Sequence, residues 1–153
     1  MKFRKVVFFI FFCTWFLILI PRFSLAEEYF MTLRNEKTNL RQGPSFNYPI
    51  KIFYKKKYLP VLIKDKSDNF RKIIDHQQNS GWIHISQLSK KKAGISIEDN
   101  LLVFKNPTVY SKPVVILKKG RLCIVSKCKN GWCKIKVDKF SGWGKKESLW
   151  GRL

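Results

Sequence analysis

Gly81-Trp82-Ile83-His84-Ile85-Ser86-Gln87-Leu88 and Gly142-Trp143-Gly144-Lys145-Lys146-Glu147-Ser148-Leu149 share one layout, a Gly-Trp pair with leucine six residues beyond the tryptophan. The echo extends upstream. Asn69-Phe70-Arg71-Lys72-Ile73 matches Gly131-Trp132-Cys133-Lys134-Ile135 at a spacing of 62. Leu59-Pro60-Val61 matches Leu122-Cys123-Ile124, and Gly43-Pro44 matches Asn106-Pro107, at a spacing of 63. One-residue changes in loops account for the drift. A period of about 62 residues is too long for a solenoid unit and suits a small β-module, so the chain reads as a duplication.

Local patterns predict strands. Val61, Ile63, Phe70, Ile73, Trp82, Ile83 and Ile85 fall in short runs separated by Asp65-Lys66-Ser67-Asp68-Asn69 and Gln77-Gln78-Asn79-Ser80-Gly81, which are turn compositions. In the second half, Arg121 to Lys127 and Trp132 to Val137 flank Lys129-Asn130-Gly131. Asn-Gly between β-type runs is a strong hairpin signal, because both residues tolerate positive φ. Ser86-Gln87-Leu88 reads as a tight turn closing the first unit.

The start of the chain is of another kind. Met1-Lys2-Phe3-Arg4-Lys5 precedes an apolar run from Val6 to Ile20, and Ser24 and Ala26 are small residues placed for cleavage after Ala26. That layout predicts a secretory signal peptide over residues 1–26, hence a periplasmic protein. The alternative is an uncleaved inner-membrane anchor, although the run is shorter than the roughly 20 residues a span needs. Bulky Ile10-Phe11-Phe12 before Cys13 argues against lipoprotein processing. Residues 27–153 keep 27 of the 31 Lys and Arg and all 10 Asp and Glu, a formal charge of +17.

Thr38-Asn39-Leu40-Arg41-Gln42-Gly43-Pro44-Ser45-Phe46-Asn47-Tyr48-Pro49-Ile50 resembles the opening of bacterial SH3-like (SH3b) domains, Asn-(Val/Leu)-Arg-x-Gly-Pro followed by Tyr-Pro-(Val/Ile). Leu59-Pro60-Val61, the Phe70 strand and Gly81-Trp82-Ile83 fall where such domains place their middle strands and closing Gly-Trp. Across residues 29–151 the chain is similar to a secreted two-unit SH3-like family of Gram-negative bacteria, whose second unit is marked by Cys-x4-Cys and a terminal Leu-Trp-Gly. Cys128, Cys133 and Leu149-Trp150-Gly151 match that ending. Leu102-Val103-Phe104-Lys105-Asn106-Pro107 lacks the Asn, Arg and Gly of the opening, so a function borne there belongs to the first unit alone. The resemblance implies an all-β fold of two tandem SH3-like β-barrels, residues 29–90 and 95–153, joined by Ser89-Lys90-Lys91-Lys92-Ala93-Gly94. It also implies peptidoglycan or a wall-associated peptide as ligand class.

The candidate ligand residues are Asn39, Arg41, Tyr48 and Trp82. Asn39 and Arg41, two apart in an extended segment, share a face. They are either a polar recognition pair, or a pair in which Asn39 bonds loop backbone and Arg41 packs over an aromatic ring. Gly43-Pro44 reads as a turn with Gly in a conformation other residues avoid. Trp82 and Trp143, each after a glycine and before a strand, read as filling barrel cores or plugging barrel ends, core filling being favoured. Tyr48, Phe53, Tyr54 and Tyr58 among Lys51, Lys55, Lys56 and Lys57 read either as a stacking platform with a cationic rim or as a solvated face.

In a two-residue Asn-Gly hairpin Lys129 pairs with Trp132, which sets Cys128 opposite Cys133 and predicts a cross-strand disulfide. Cys123 is expected to be a buried thiol on the opposite face of its strand, aligned with Pro60. Cys-x4-Cys on a hairpin lacks the helix N-terminus that activates a redox thiol. His76 and His84, on predicted strands, stand outside zinc-ligand spacing, so no metal and no cofactor is expected. No catalytic constellation is legible, and a non-enzymatic protein is expected. Export disfavours nucleic acid as a partner. The runner-up reading is an adaptor docking an acidic envelope protein or an anionic membrane surface, to which the positive charge would speed encounter.

Overall fold

The computed structural model describes residues 27–153; the signal-peptide reading of residues 1–26 lies outside the described residues. Among the described residues, fourteen strands form two antiparallel sheets. The first sheet contains β1 (Tyr29–Leu33), β2 (Thr38–Arg41), β3 (Ile50–Tyr54), β4 (Pro60–Ser67), β5 (Phe70–Ile74), β6 (Ser80–His84) and β7 (Leu88–Ser89). The second contains β8 (Ala93–Ser96), β9 (Leu101–Phe104), β10 (Pro113–Leu117), β11 (Leu122–Lys129), β12 (Trp132–Val137), β13 (Phe140–Lys145) and β14 (Leu149–Arg152). Their orders, β3-β2-β6-β5-β4-β1-β7 and β10-β9-β13-β12-β11-β8-β14, are the same arrangement twice. The fold is all-β as the sequence implied, with one correction: each sheet has two unpaired ends, so neither unit is a closed barrel. Strand β8 starts at Ala93, inside the stretch read as a connection. His76, read as a strand residue, lies in the 75–79 turn.

The Gly-Trp echo has a steric cause. Gly81 and Gly142 face inward where the neighbouring strand crosses closest. A Cβ on Gly81 would stand 2.7 Å from Arg41 O, and one on Gly142 2.6 Å from Phe104 O. Alternation then turns Trp82 and Trp143 outward, each half-buried, while Ile83 behind Trp82 has no exposed surface. The core-filling reading of the two tryptophans is therefore corrected: the glycines serve the core and the tryptophans serve the outer face.

Both long strands carry a bulge at the same place. β4 pairs with β5 through Ile63↔Ile73 and then Asp65↔Lys72, and β11 pairs with β12 through Val125↔Ile135 and then Lys127↔Lys134. One residue, Lys64 or Ser126, is left over in each. The two strands superpose end to end at a spacing of 62, so Cys123 takes the place of Val61, not of Pro60; both are fully buried. The extra residue also undoes the parity of the sequence reading. Cys128 turns to the same side as Cys123 and packs on the second core beside Cys133.

The units share a boundary core. Ile95 of β8 belongs to the first unit's cluster with Leu33, Val61 and Leu88, and Leu122 packs against it. β14 lies against β1 and β4. Trp150 meets Phe30 edge to face at 4.9 Å, and Arg152 donates from Nη1 to Phe30 O at 3.0 Å and from Nε to Lys90 O at 2.9 Å. Gly151, at φ 145°, admits this approach: a Cβ there would come within 2.5 Å of Ala93 O and 2.9 Å of Pro60 Cβ. The terminal Leu-Trp-Gly is thus a clasp between units.

Candidate functional site

Strand β2 alternates strictly. Thr38 and Leu40 are buried, and Asn39 and Arg41 point outward together as their spacing predicted. Arg41 Nη1 donates to Tyr48 O at 2.7 Å and Phe46 O at 3.0 Å, and its guanidinium stands 5.4 Å from the Phe46 ring centre. The arginine thus straps the 42–49 loop across the outer face and stacks on an aromatic ring, the second of its two sequence readings. The Asn39 backbone N–H donates to Gln87 Oε1 at 3.2 Å, while the Asn39 Oδ1 is buried without a partner.

Tyr48 lies flat on Gly43. A Cβ added at Gly43 would meet three atoms of the Tyr48 ring at 2.6 Å, and Gly43 does not occupy the left-handed region. Gly43-Pro44 lie in the bend that leaves β2, as read, but the reason for the glycine is corrected: Gly43 is small to seat a ring and does not use a left-handed conformation. The outer side of the ring is open, leaving Tyr48 47 % exposed.

Trp82 stands opposite Arg41 on one side and Lys72 on the other, and one step along the same face Phe70 pairs with His84. Phe46 sits on that pair, 5.2 Å from Phe70 and 5.1 Å from His84, and remains 61 % exposed. Arg41, Tyr48 and Trp82 are therefore brought together, with Asn39 farther along β2. Sequence reasoning missed Phe46, Phe70 and His84. The two-residue period was a signal for the last two, since Phe70 and Lys72, like Trp82 and His84, must share a side.

The lysine-rich aromatic stretch does not form one platform. Tyr54 turns into the core and donates its hydroxyl to Asp75 Oδ2 at 2.8 Å, while Phe53 faces out beneath the Lys37 ammonium at 5.3 Å. Tyr58 sits at φ 62° in a turn. Burial, together with the Asp75 hydrogen bond and charge, pushes the Tyr54 hydroxyl far above its ordinary range. Burial works to raise Asp75 as well. Donation from the Asn79 side chain and backbone, then from Tyr54 and Gln77, outweighs it and holds the carboxyl below its usual value. Asp75 is the buttress of the 75–79 turn.

The second unit repeats the outer face with different chemistry. Phe104 replaces Arg41 opposite Trp143, and Trp132, opposite Lys145, replaces Phe70 opposite His84. Phe104 and Trp132 meet edge to face at 5.7 Å, and Lys127 Nζ lies 5.8 Å over Trp143. At the tip of the same sheet Cys128 and Cys133 form a disulfide with Cα atoms 4.0 Å apart, Asn130 and Gly131 both at positive φ. Cys123 is a free, fully buried thiol, which burial pushes up to about 12 against the opposing pull of Arg121 and Lys56.

No curated protein matches the chain. Among solved structures it is similar to NlpC2 of Trichomonas vaginalis at 12% identity and TM-score 0.37, over 83% of this chain and 49% of that one. It is also similar to NlpC1 of the same organism, at 13% identity and TM-score 0.36, over 87% and 49%. An NlpC/P60 family protein from Bacillus cereus aligns at 10% identity and TM-score 0.37, over 80% and 56%. The chain spans about half the length of each. The bacterial SH3 domain profile matches it twice, over residues 34–90 and again over 98–151. With one match on each of two sheets that repeat a single strand order, the chain belongs to the bacterial SH3 domain family and carries that domain in tandem.

Proposed function

We propose that this is a non-enzymatic binding module of the cell envelope, exported to the periplasm, that holds peptidoglycan or a wall-associated peptide on the outer face of its first unit. The observation that carries the reading is the exposed Phe46 ring. It is propped on Phe70 and His84 and strapped by Arg41, with Tyr48 and Trp82 alongside. An apolar ring held half out of water by a dedicated hydrogen-bonded loop lowers the ordering cost of a ligand that stacks on it. Sugar rings and short peptides present such stacking faces. Arg41 is engaged by two carbonyls of the loop, and His84 by Ser86 Oγ of the turn that follows it, at 2.7 Å, which suits recognition more than chemistry. The charge of +17 over residues 27–153 assists encounter with an anionic wall.

The test is retention on purified sacculi at physiological salt against a protein of matched charge. Retention that falls in Phe46→Ala and Trp82→Ala supports the reading, and no retention above the control sinks it. Binding that survives both substitutions but vanishes between low and physiological salt would assign it to bulk charge, the mark of an anionic surface or acidic partner.

A further inference from the structure

The free edges of the two sheets differ. Strand β10 ends the second sheet and reads Pro113-Val114-Val115-Ile116-Leu117, without one polar side chain. Val115 and Leu117 turn to the core, while Val114 and Ile116 turn out, 36% and 57% exposed, and Ile116 stands opposite Leu102, itself 40% exposed. Both edge strands carry a bulge, at Lys51 in β3 and at Val114 in β10, and only the first unit's edge is also guarded by charge. Lys51 sits within β3 and donates from Nζ to Ser80 O at 3.1 Å, and the Lys37 ammonium covers Phe53. A lysine on an edge strand blocks addition of another strand. Of the remaining sheet ends, β7 has two residues and β14 lies against the first unit.

Charge selects the occupant. The sequence holds no Asp or Glu between Asp99 and Asp138, and the exposed Lys105, Lys112, Lys118 and Lys119 bracket β10 at both ends. A second copy paired antiparallel about Val115 would set Lys112 against Lys118, like against like. An extended segment with acidic flanks meets a lysine at each end instead.

We propose that the edge of β10 takes an extended, acid-flanked segment of a partner protein as an additional antiparallel strand, its alternate side chains resting on Ile116 and Leu102. Main-chain hydrogen bonds to the free edge supply affinity, and the lysines choose sequence and register. The site is separate from the Phe46 face, so the two stand or fall independently.

The probe is a synthetic peptide of alternating valine and threonine with paired glutamates at each end, measured by fluorescence polarisation against the full chain at physiological salt. Binding is expected, with amide hydrogen exchange slowed over residues 113–118. Ile116→Lys, which puts an unpaired charge on the apolar seat, weakens binding by about tenfold or more. A peptide N-methylated at alternate residues does not bind. The Lys118→Glu/Lys119→Glu variant shifts preference towards a lysine-flanked peptide, which decides the matter should Ile116→Lys fail to fold. Phe46→Ala leaves peptide binding unchanged. The proposal is overturned by protection elsewhere than 113–118, by equal binding of the N-methylated peptide, by a dimer that protects β10 without peptide, or by binding to anionic vesicles alone.

Discussion

Trp150, in the last strand, sets its ring edge to face against Phe30, in the first, and so ties the two ends of the described chain together at 4.9 Å. Sharing of Ile95 between the second sheet and the first core makes the tie energetic as well as geometric. Trp150→Ala should cost about 2–3 kcal/mol, at or just below the low end of the range for buried aromatic truncation because the indole is only half-buried. Calorimetry should show one transition in the parent and a broadened or split one in the variant, with new proteolytic cleavage near residues 90–92. An unchanged single transition would mean that the clasp adds nothing to cooperativity.

Gly81→Ala and Gly142→Ala each drive a methyl group into a backbone carbonyl at 2.6–2.7 Å. Each should destabilise by about 1–3 kcal/mol, the cost of overpacking. Gly144→Ala is the control, since the nearest atom to its Cβ is Ile135 Cδ1 at 3.4 Å and no positive φ is involved. Thermal melts of the three should rank Gly144→Ala closest to the parent.

Asp75 makes stability depend on acidity. Its folded pKa lies below the unfolded value of about 3.9, so the stabilisation is present above that value and is lost as pH falls through the folded pKa. Urea denaturation should show Asp75→Asn less stable than the parent at pH 7, with the gap narrowing as pH drops from about 5 towards 2. Tyr54→Phe, which removes one of four donors, should cost about 1 kcal/mol. A gap that stays constant with pH would assign Asp75 a purely steric role.

The thiols should separate by accessibility. Cys123, buried and with its pKa pushed up to about 12, should resist iodoacetamide at pH 8 in the folded protein and react in urea. Cys128 and Cys133 should label only after reduction. Reduction should lower stability by about 2 kcal/mol, as expected for a short loop. Mass spectrometry of labelled peptides reads all three positions.

Duplication, strand content and the hairpin disulfide were legible in the sequence because each rests on local periodicity or turn chemistry. The Asn130-Gly131 turn alone places Cys128 opposite Cys133. The site was half legible. Arg41, Tyr48 and Trp82 stand on one face, but the strap from Arg41 to the Phe46 and Tyr48 carbonyls depends on how the 42–49 loop folds back, which no spacing encodes. Gly43, in its bend, and Gly81, inside a strand, were both read for backbone freedom because glycine usually marks it, whereas here both mark close approach. The side of Cys128 was misread because a bulge adds one to the parity count and leaves no compositional trace.

That added residue makes strand length itself heritable information. Lys64 and Ser126 occupy the bulge in their respective copies and share neither charge nor size. What descends from one copy to the other is a count. Deleting Ser126 would leave Val125↔Ile135 followed directly by Lys127↔Lys134, so Cys128 would still face Cys133, and what would be lost is the bend and added twist that the bulge puts into the strand. The curvature of the long strand is therefore what the two copies hold in common, and drift in composition at the bulge has been free where drift in strand length has not.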